Sequence, residues 1–145
     1  HLEFDVFLIP VTSGTKEQKE SISMIATLSD CGIPADKIRV LFNRVEGDVA
    51  EEFGPLLNYV KKEKNAIANA EAAIFENELF DLLSVKKLSI GGVLSDDTDY
   101  KAKLRELGPE GDAKLKAHYS DLHVIKALAK SVNRNLDTVF SALFD

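Results

Sequence analysis

Asn43-Arg44 is the point in this chain where residue type and position combine into chemistry. A carboxamide both gives and accepts hydrogen bonds, so Asn43 can read a purine edge, and a neighbouring guanidinium can stack or pair with phosphate. The competing reading is local: Asn43 satisfies turn backbone and Arg44 is solvated. The pair closes the run Ile38-Arg39-Val40-Leu41-Phe42-Asn43-Arg44-Val45, whose continuous apolar character suits a central parallel strand covered on both faces. In open α/β sheets ligands sit just beyond the carboxyl ends of such strands, which makes Asn43 and Arg44 the candidate binding residues.

Other chemistries lack their parts. A phosphate-binding P-loop needs Gly-x-x-x-x-Gly-Lys-Ser/Thr, and no stretch fits. Ser13-Gly14-Thr15-Lys16 has the flavour of that loop without its spacing or second glycine, and reads as a capped helix start that could hold an anion weakly. The histidines are His1, His118 and His123, and the last two are not at the i, i+4 spacing that chelates on a helix. Asp96-Asp97-x-Asp99 could hold a hydrated cation, but loop carboxylates more often cap or solvate, so no metal ligand is assigned. There is no Gly-x-Ser-x-Gly elbow, and no histidine has a claim on the single cysteine, Cys31. Cys31 falls on a half-apolar helical stretch and reads as buried filler. No catalytic residue is assigned.

The first strand is expected over residues 4–11, Phe-Asp-Val-Phe-Leu-Ile-Pro-Val. A parallel sheet rarely opens so abruptly, so the chain is expected to be a fragment or the second half of a longer α/β domain. Thr12-Ser13-Gly14 breaks that strand, and Thr15 with Gln18 predicts a capping box for a helix whose apolar stripe is Ile22, Ile25 and Leu28. Gly32 and Pro34 end it. Strand, helix and strand make a βαβ unit whose crossover is expected to be right-handed. Glu46-Gly47-Asp48 then turns the chain, and Pro55 starts a helix carrying Leu56, Leu57 and Val60.

Beyond it, residues 65–70 predict a small third strand centred on Ile67, and residues 76–85 a helix. Residues 86–97 read as irregular, with Gly91-Gly92 as a flexible loop. Thr98 or Asp99 caps a short helix through Leu107. A long helix follows over 112–132, Asn133-Arg134-Asn135 turns the chain, and Leu136, Val139, Phe140, Leu143 and Phe144 form a last amphipathic helix. The expectation is one domain over 1–145, with a βαβ core at 1–70 and a mostly helical portion at 71–145.

The bulk composition narrows the class. The chain has 145 residues, which fits one domain, and its 45% hydrophobic and 29% charged residues are ordinary for a soluble globular protein. No apolar run approaches the roughly 20 residues a bilayer requires, and no basic region precedes an apolar stretch as in a secretory leader. A lone cysteine fits a reducing cytoplasm. The net charge of −6 argues against strong non-specific DNA binding. The lysines at 61, 62, 64, 86 and 87 read as solvated helix ends complementing the helix dipole.

Phe4-Asp5-Val6-Phe7-Leu8-Ile9-Pro10-Val11, Gly32-Ile33-Pro34 and Lys37-Ile38-Arg39-Val40-Leu41-Phe42-Asn43-Arg44-Val45 together resemble the second half of a ParA/MinD-type ATPase. In that family a strand ending near Pro is followed by a helix and a strand ending in Asn-Arg. Glu76-Asn77-Glu78-Leu79-Phe80-Asp81-Leu82-Leu83, Asp97-Thr98-Asp99-Tyr100-Lys101 and Leu136-Asp137-x-x-Phe140-x-Ala142-Leu143 resemble StbB-type plasmid stability proteins of the ParA-like group. The resemblance implies a three-layer parallel sheet with its N-terminal part absent and a helical C-terminal tail. It implies Asn43 and Arg44 at the base side of a nucleotide site, with ATP and magnesium in an intact protein and neither on this chain alone. It further implies a cytoplasmic partition or plasmid-stability role, a partner protein, a nucleotide-dependent homodimer and no membrane. The family's Walker A lysines are missing here, so ATP hydrolysis by this chain is not expected. Two rivals remain: a nucleotide-free interaction module using the 112–132 helix and the final helix, and a small α/β enzyme whose site is not visible in the sequence.

Overall fold

The computed structural model describes residues 6–145, so His1 and the first residues of the expected opening strand, Phe4 and Asp5, lie outside it. Two compact units are present: residues 6–76 with Asn135–Asp145, and Asn77–Arg134. The first holds the sheet. Strand β1 (Phe7–Val11) leads through helix α1 (Thr15–Asp30) to β2 (Ile38–Val45). Helices α2 (Val49–Glu52) and α3 (Gly54–Glu63) follow, then β3 (Ala73–Phe75). The sheet is parallel in the order β1-β2-β3, with Phe7 opposite Ile38 and Val11 opposite Phe42. The chain is therefore α/β, with a three-stranded parallel sheet and a C-terminal helix.

The central strand is apolar on both faces because both faces are covered. Ile38, Val40 and Phe42 are fully buried in one cluster with Ile25 of α1 and with Phe53 and Leu56 around the start of α3. The Phe42 and Phe53 rings meet edge to face at 4.9 Å. Alternation sends Leu41 to the opposite face, where it packs with Ala72, Ile74, Val139 and Leu143. The Arg39 guanidinium donates to the carbonyl of Leu143, so a cation satisfies an unpaired acceptor at the last helix's end.

Local signals place α1 well at its end and less well at its start. Gly32 takes φ 91°, and the N–H groups of Gly32 and Ile33 return to the carbonyls of Ser29 and Leu28, which is a Schellman closure. Cys31 is exposed in the cap just before it, not buried, because it lies past the helix's apolar stripe. The expected Thr15–Gln18 capping box is not formed: Gly14 is the N-cap and no side chain caps the helix. Gln18 turns inward instead. Its amide donates to the carbonyls of Ser13 (2.8 Å) and Glu52 (3.0 Å) and accepts from the N–H of Leu56 (3.1 Å). The Ser13 carbonyl lies in the loop before α1, and the Glu52 and Leu56 groups lie at the end of α2 and the start of α3, where backbone partners run out.

The third strand also departs from expectation. Ile67 makes an isolated parallel bridge with Arg39, the chain then turns at Asn69, and the strand proper begins at Ala73. Ile74 and Phe75 favour a pleated strand more than the Ala-rich 66–70 does.

The second unit contains α4 (Leu79–Lys86), α5 (Ile90–Ser95), α6 (Tyr100–Leu107) and most of α7 (Ala113–Phe144). Gly91-Gly92 is helical rather than a flexible loop, because Ser89 caps α5 by accepting from the Gly92 N–H at 3.0 Å. Asp99 caps α6, as expected for one of the two candidate caps. Lys64 and Lys87 end α3 and α4 in left-handed conformations. Among the described residues no helix is long and apolar enough to cross a membrane.

The turn expected at Asn133-Arg134-Asn135 is absent, and α7 runs through it. Asn135 serves a distant strand instead: its Oδ1 accepts from the Phe75 N–H at 3.2 Å and its Nδ2 donates to the Ala73 carbonyl at 2.8 Å. The carboxamide thus occupies the edge of β3 as a further strand would. Replacing Asn135 with Ala is expected to destabilise the protein by about 1–3 kcal/mol, the cost of leaving two edge groups unpaired. Asn135→Asp, which cannot donate to Ala73, should rescue little of it. Urea denaturation followed by circular dichroism measures both.

Candidate functional site

The carboxyl ends of β1 and β2 converge on a cavity of about 260 Å³ lined by Thr12, Ser13, Gly14, Arg44, Glu46 and Glu76. Its shape follows from an irregularity in β2. Phe42 pairs with Ala73 and Val45 with Phe75, so β2 carries one residue more than β3 over this interval. The extra residue makes a bulge at Asn43-Arg44, a device that re-aims side chains at the end of a strand. Arg44 takes φ 55°, a left-handed conformation costing a non-glycine residue about 1 kcal/mol.

Two contacts hold that conformation. Asn43 Oδ1 accepts from the Arg44 N–H at 3.0 Å, and Arg44 Nε pairs with Glu76 Oε2 at 3.0 Å. Glu76 is placed by its own N–H, which donates to the Val45 carbonyl at 2.8 Å. With side-chain exposures of 69% and 45%, the Arg44–Glu76 pair is solvent-screened and opens at little cost to a competing ligand.

The bulge also separates the two candidate residues. Arg44 faces the cavity above, whereas Asn43 lines a larger groove of about 680 Å³ between β1 and α1, beside Leu8, Pro10 and Met24. Among the described residues β1 has no strand on its outer edge. The smaller cavity sets one arginine against two glutamates, Glu46 and Glu76, a balance that disfavours a phosphate and suits a neutral base or hydroxyl donors. The start of α1 gives no anion site either, since the Glu17 carboxylate already folds over Gly14.

Sequence reading missed Glu52. Its carboxylate accepts from three successive backbone N–H groups, those of Glu46 (2.9 Å), Gly47 (2.6 Å) and Asp48 (2.8 Å). The loop after β2 is thus a backbone nest filled by the chain's own acid. The available signal was an acidic residue one turn into a helix that follows Glu-Gly-Asp.

Elsewhere the acidic candidates are engaged locally. Asp96 accepts from the Tyr100 hydroxyl and the Thr98 N–H, and Asp99 from the Ala102 N–H. Among the described residues no group of three or more His, Cys, Asp or Glu side chains is placed to hold a metal ion.

The N–H groups of Glu46, Gly47 and Asp48 lower the Glu52 carboxyl below its ordinary 4.5 against a smaller opposing effect of desolvation. A depressed folded-state value contributes stability above the unfolded value, and that contribution is lost as pH falls through the folded one. Below about pH 4.5 the urea midpoint of the wild type should therefore fall more steeply than that of Glu52→Gln. Parallel slopes would show that the nest does not depend on the ionised acid.

Compared with known protein families, curated proteins and solved structures, the chain matches none of them.

Proposed function

We propose that this chain is the base-side part of a nucleotide-dependent switch of the ParA/MinD type, close to the StbB-type plasmid stability proteins, acting in plasmid partition in the cytoplasm. The observation that carries the reading is the Asn43-Arg44 bulge at the carboxyl end of the central parallel strand, beside the loop from β1 to α1. Ligands of open parallel sheets bind at that end of the strands. In this reading the three-layer sheet continues past the open edge of β1, and a segment joined there carries the phosphate-binding loop with its magnesium. Asn43 reads the adenine from the groove between β1 and α1, and Arg44, which faces the smaller cavity, must leave Glu76 and turn across the bulge to stack on it. The acidic cavity fits this division of labour, because the phosphates are handled elsewhere. ATP binding gates a homodimer, and hydrolysis releases a partner.

The test uses the longest product of the gene. Asn43→Ala should weaken ATP binding by about 1–3 kcal/mol, the loss of a buried hydrogen-bond partner; calorimetry showing unchanged affinity would remove Asn43 from the base site.

A second reading, a nucleotide-free interaction module, is favoured by one observation. Phe140 and Phe144 lie tilted against each other on α7, ring centres 4.9 Å apart, while 62% and 45% exposed. Exposed aromatic pairs are common anchors of protein interfaces. Serine at both positions should abolish partner capture and leave nucleotide affinity unchanged. Survival of capture in the double variant would exclude that surface.

A further inference from the structure

Strand β1 pairs with β2 along one edge and with no described strand along the other. The groove of about 680 Å³ that holds Asn43 follows that open edge, and Glu17, Glu20, Met24 and Leu28 of α1 form its far wall. The direction of the β1 backbone groups follows from β2. Val40 and Phe42 donate to Ile67 and Ala72, and the Ile38 carbonyl accepts from Ile67, so Arg39 and Leu41 are left to serve β1. In a parallel ladder such residues bond the neighbours of their opposite numbers, here Phe7, Ile9 and Val11. Leu8 and Pro10 therefore turn their backbone groups outward. A proline on that side costs the ladder with β2 nothing.

The groups left open define what the edge takes. The Leu8 N–H and the carbonyls of Leu8 and Pro10 form a row of one donor and two acceptors, the complement of an extended backbone. The side chains agree, since Phe7 and Leu8 on the strand and Met24 on the helix are exposed apolar surface. Charge adds one feature. Glu17 and Glu20 are the charged residues of the lining, and Lys16, 3.7 Å from Glu20, offsets the second. Among the described residues Glu17 has no cation at ion-pair distance; its carboxylate folds over Gly14 at the start of α1, just past the carboxyl end of β1. A second copy of the chain fits this edge poorly. Both edges would lack the Pro10 donor, and chains of net charge −6 repel.

We infer that the segment continuing the sheet here is an extended strand paired with the Leu8 and Pro10 backbone, its apolar side chains over Met24 and Leu28 and a lysine or arginine beside Glu17. Five residues match the length of β1. The strand's source, a stretch of the same protein, rests on the nucleotide reading, whereas its form follows from β1 and α1 alone. Such a strand completes the pairing of β1 and covers the apolar surface that α1 leaves open.

The test adds acetyl-Lys-Val-Thr-Val-Thr-Val-Lys-amide to the full ¹⁵N-labelled chain at about 0.15 M salt, where long-range attraction is screened. The lysine at each end serves either strand direction. The Leu8 amide should shift saturably, with a Kd of about 1 mM, and its hydrogen exchange should slow in proportion to the bound fraction. Ile9 and Val11, already bonded to β2, should keep their exchange rates. The same peptide N-methylated at both threonines and the valine between them should bind at least about tenfold more weakly, having lost its strand hydrogen bonds. Glutamate in place of both lysines should cost about threefold, the scale of an exposed ion pair, and Glu17→Gln should remove most of that difference. An unmoved Leu8, equal binding of the N-methylated peptide, or equal binding of the glutamate peptide overturns the inference. In the longest product of the gene Leu8 should exchange slowly without any peptide; fast exchange there overturns it too. If that product keeps Leu8 slow but fails to bind ATP, the nucleotide reading falls and the strand stands.

Discussion

Strand β2 must be hydrogen-bonded along both edges and covered on both faces, and the sheet-bearing unit is arranged to meet that demand. Its backbone pairs with β1 on one side and with Ile67 and β3 on the other. Its side chains alternate between the cluster around Ile25, Phe53 and Leu56 and the smaller one around Val139 and Leu143. A strand in this position tolerates no unsatisfied backbone and few polar side chains. Ahead of the Asn43-Arg44 corner Arg39 is the exception, and it is accommodated because its head leaves the core to bind the carbonyls of Asp36 and Leu143.

Where backbone partners run out, side-chain amides take their place. Gln18 bonds three backbone groups between α1 and the α2–α3 junction, Asn135 occupies the edge of β3, and Asn43 accepts from the residue that follows it. A carboxamide suits this because it offers a donor and an acceptor in nearly the geometry of a peptide group, without the cost of burying a charge. At the edge of β3 one well-placed amide closes two backbone groups.

The corner after β2 combines local strain with local support. A left-handed arginine, a one-residue bulge and a loop folded around the Glu52 carboxylate all fall within ten residues of one another. Such a concentration is typical of places that present side chains to a ligand. The charges point the same way, since Glu46 and Glu76 beside Arg44 leave a cavity suited to uncharged, hydrogen-bonding ligand parts.

The sequence alone determined the features that depend on near neighbours. The apolar run of β2 marked a central strand, Gly32 marked the Schellman end of α1, and Asp99 was one of the two caps named for α6, because each is decided by residues a few positions away. The candidate corner was legible for the same reason: a buried run that stops at Asn-Arg has to emerge at the end of its strand. Tertiary structure decided the rest. Asn135 reads locally as a turn former, yet it continues a helix because its amide answers Ala73 and Phe75, some 60 positions away. Gln18 reads as a capping residue, yet it is drawn inward by Leu56 and Glu52, and the division of Asn43 from Arg44 depends on a bulge visible only once β3 is paired. In each case the deciding partner is a backbone group left unsatisfied by another element, and nothing in the local sequence records where that group will be.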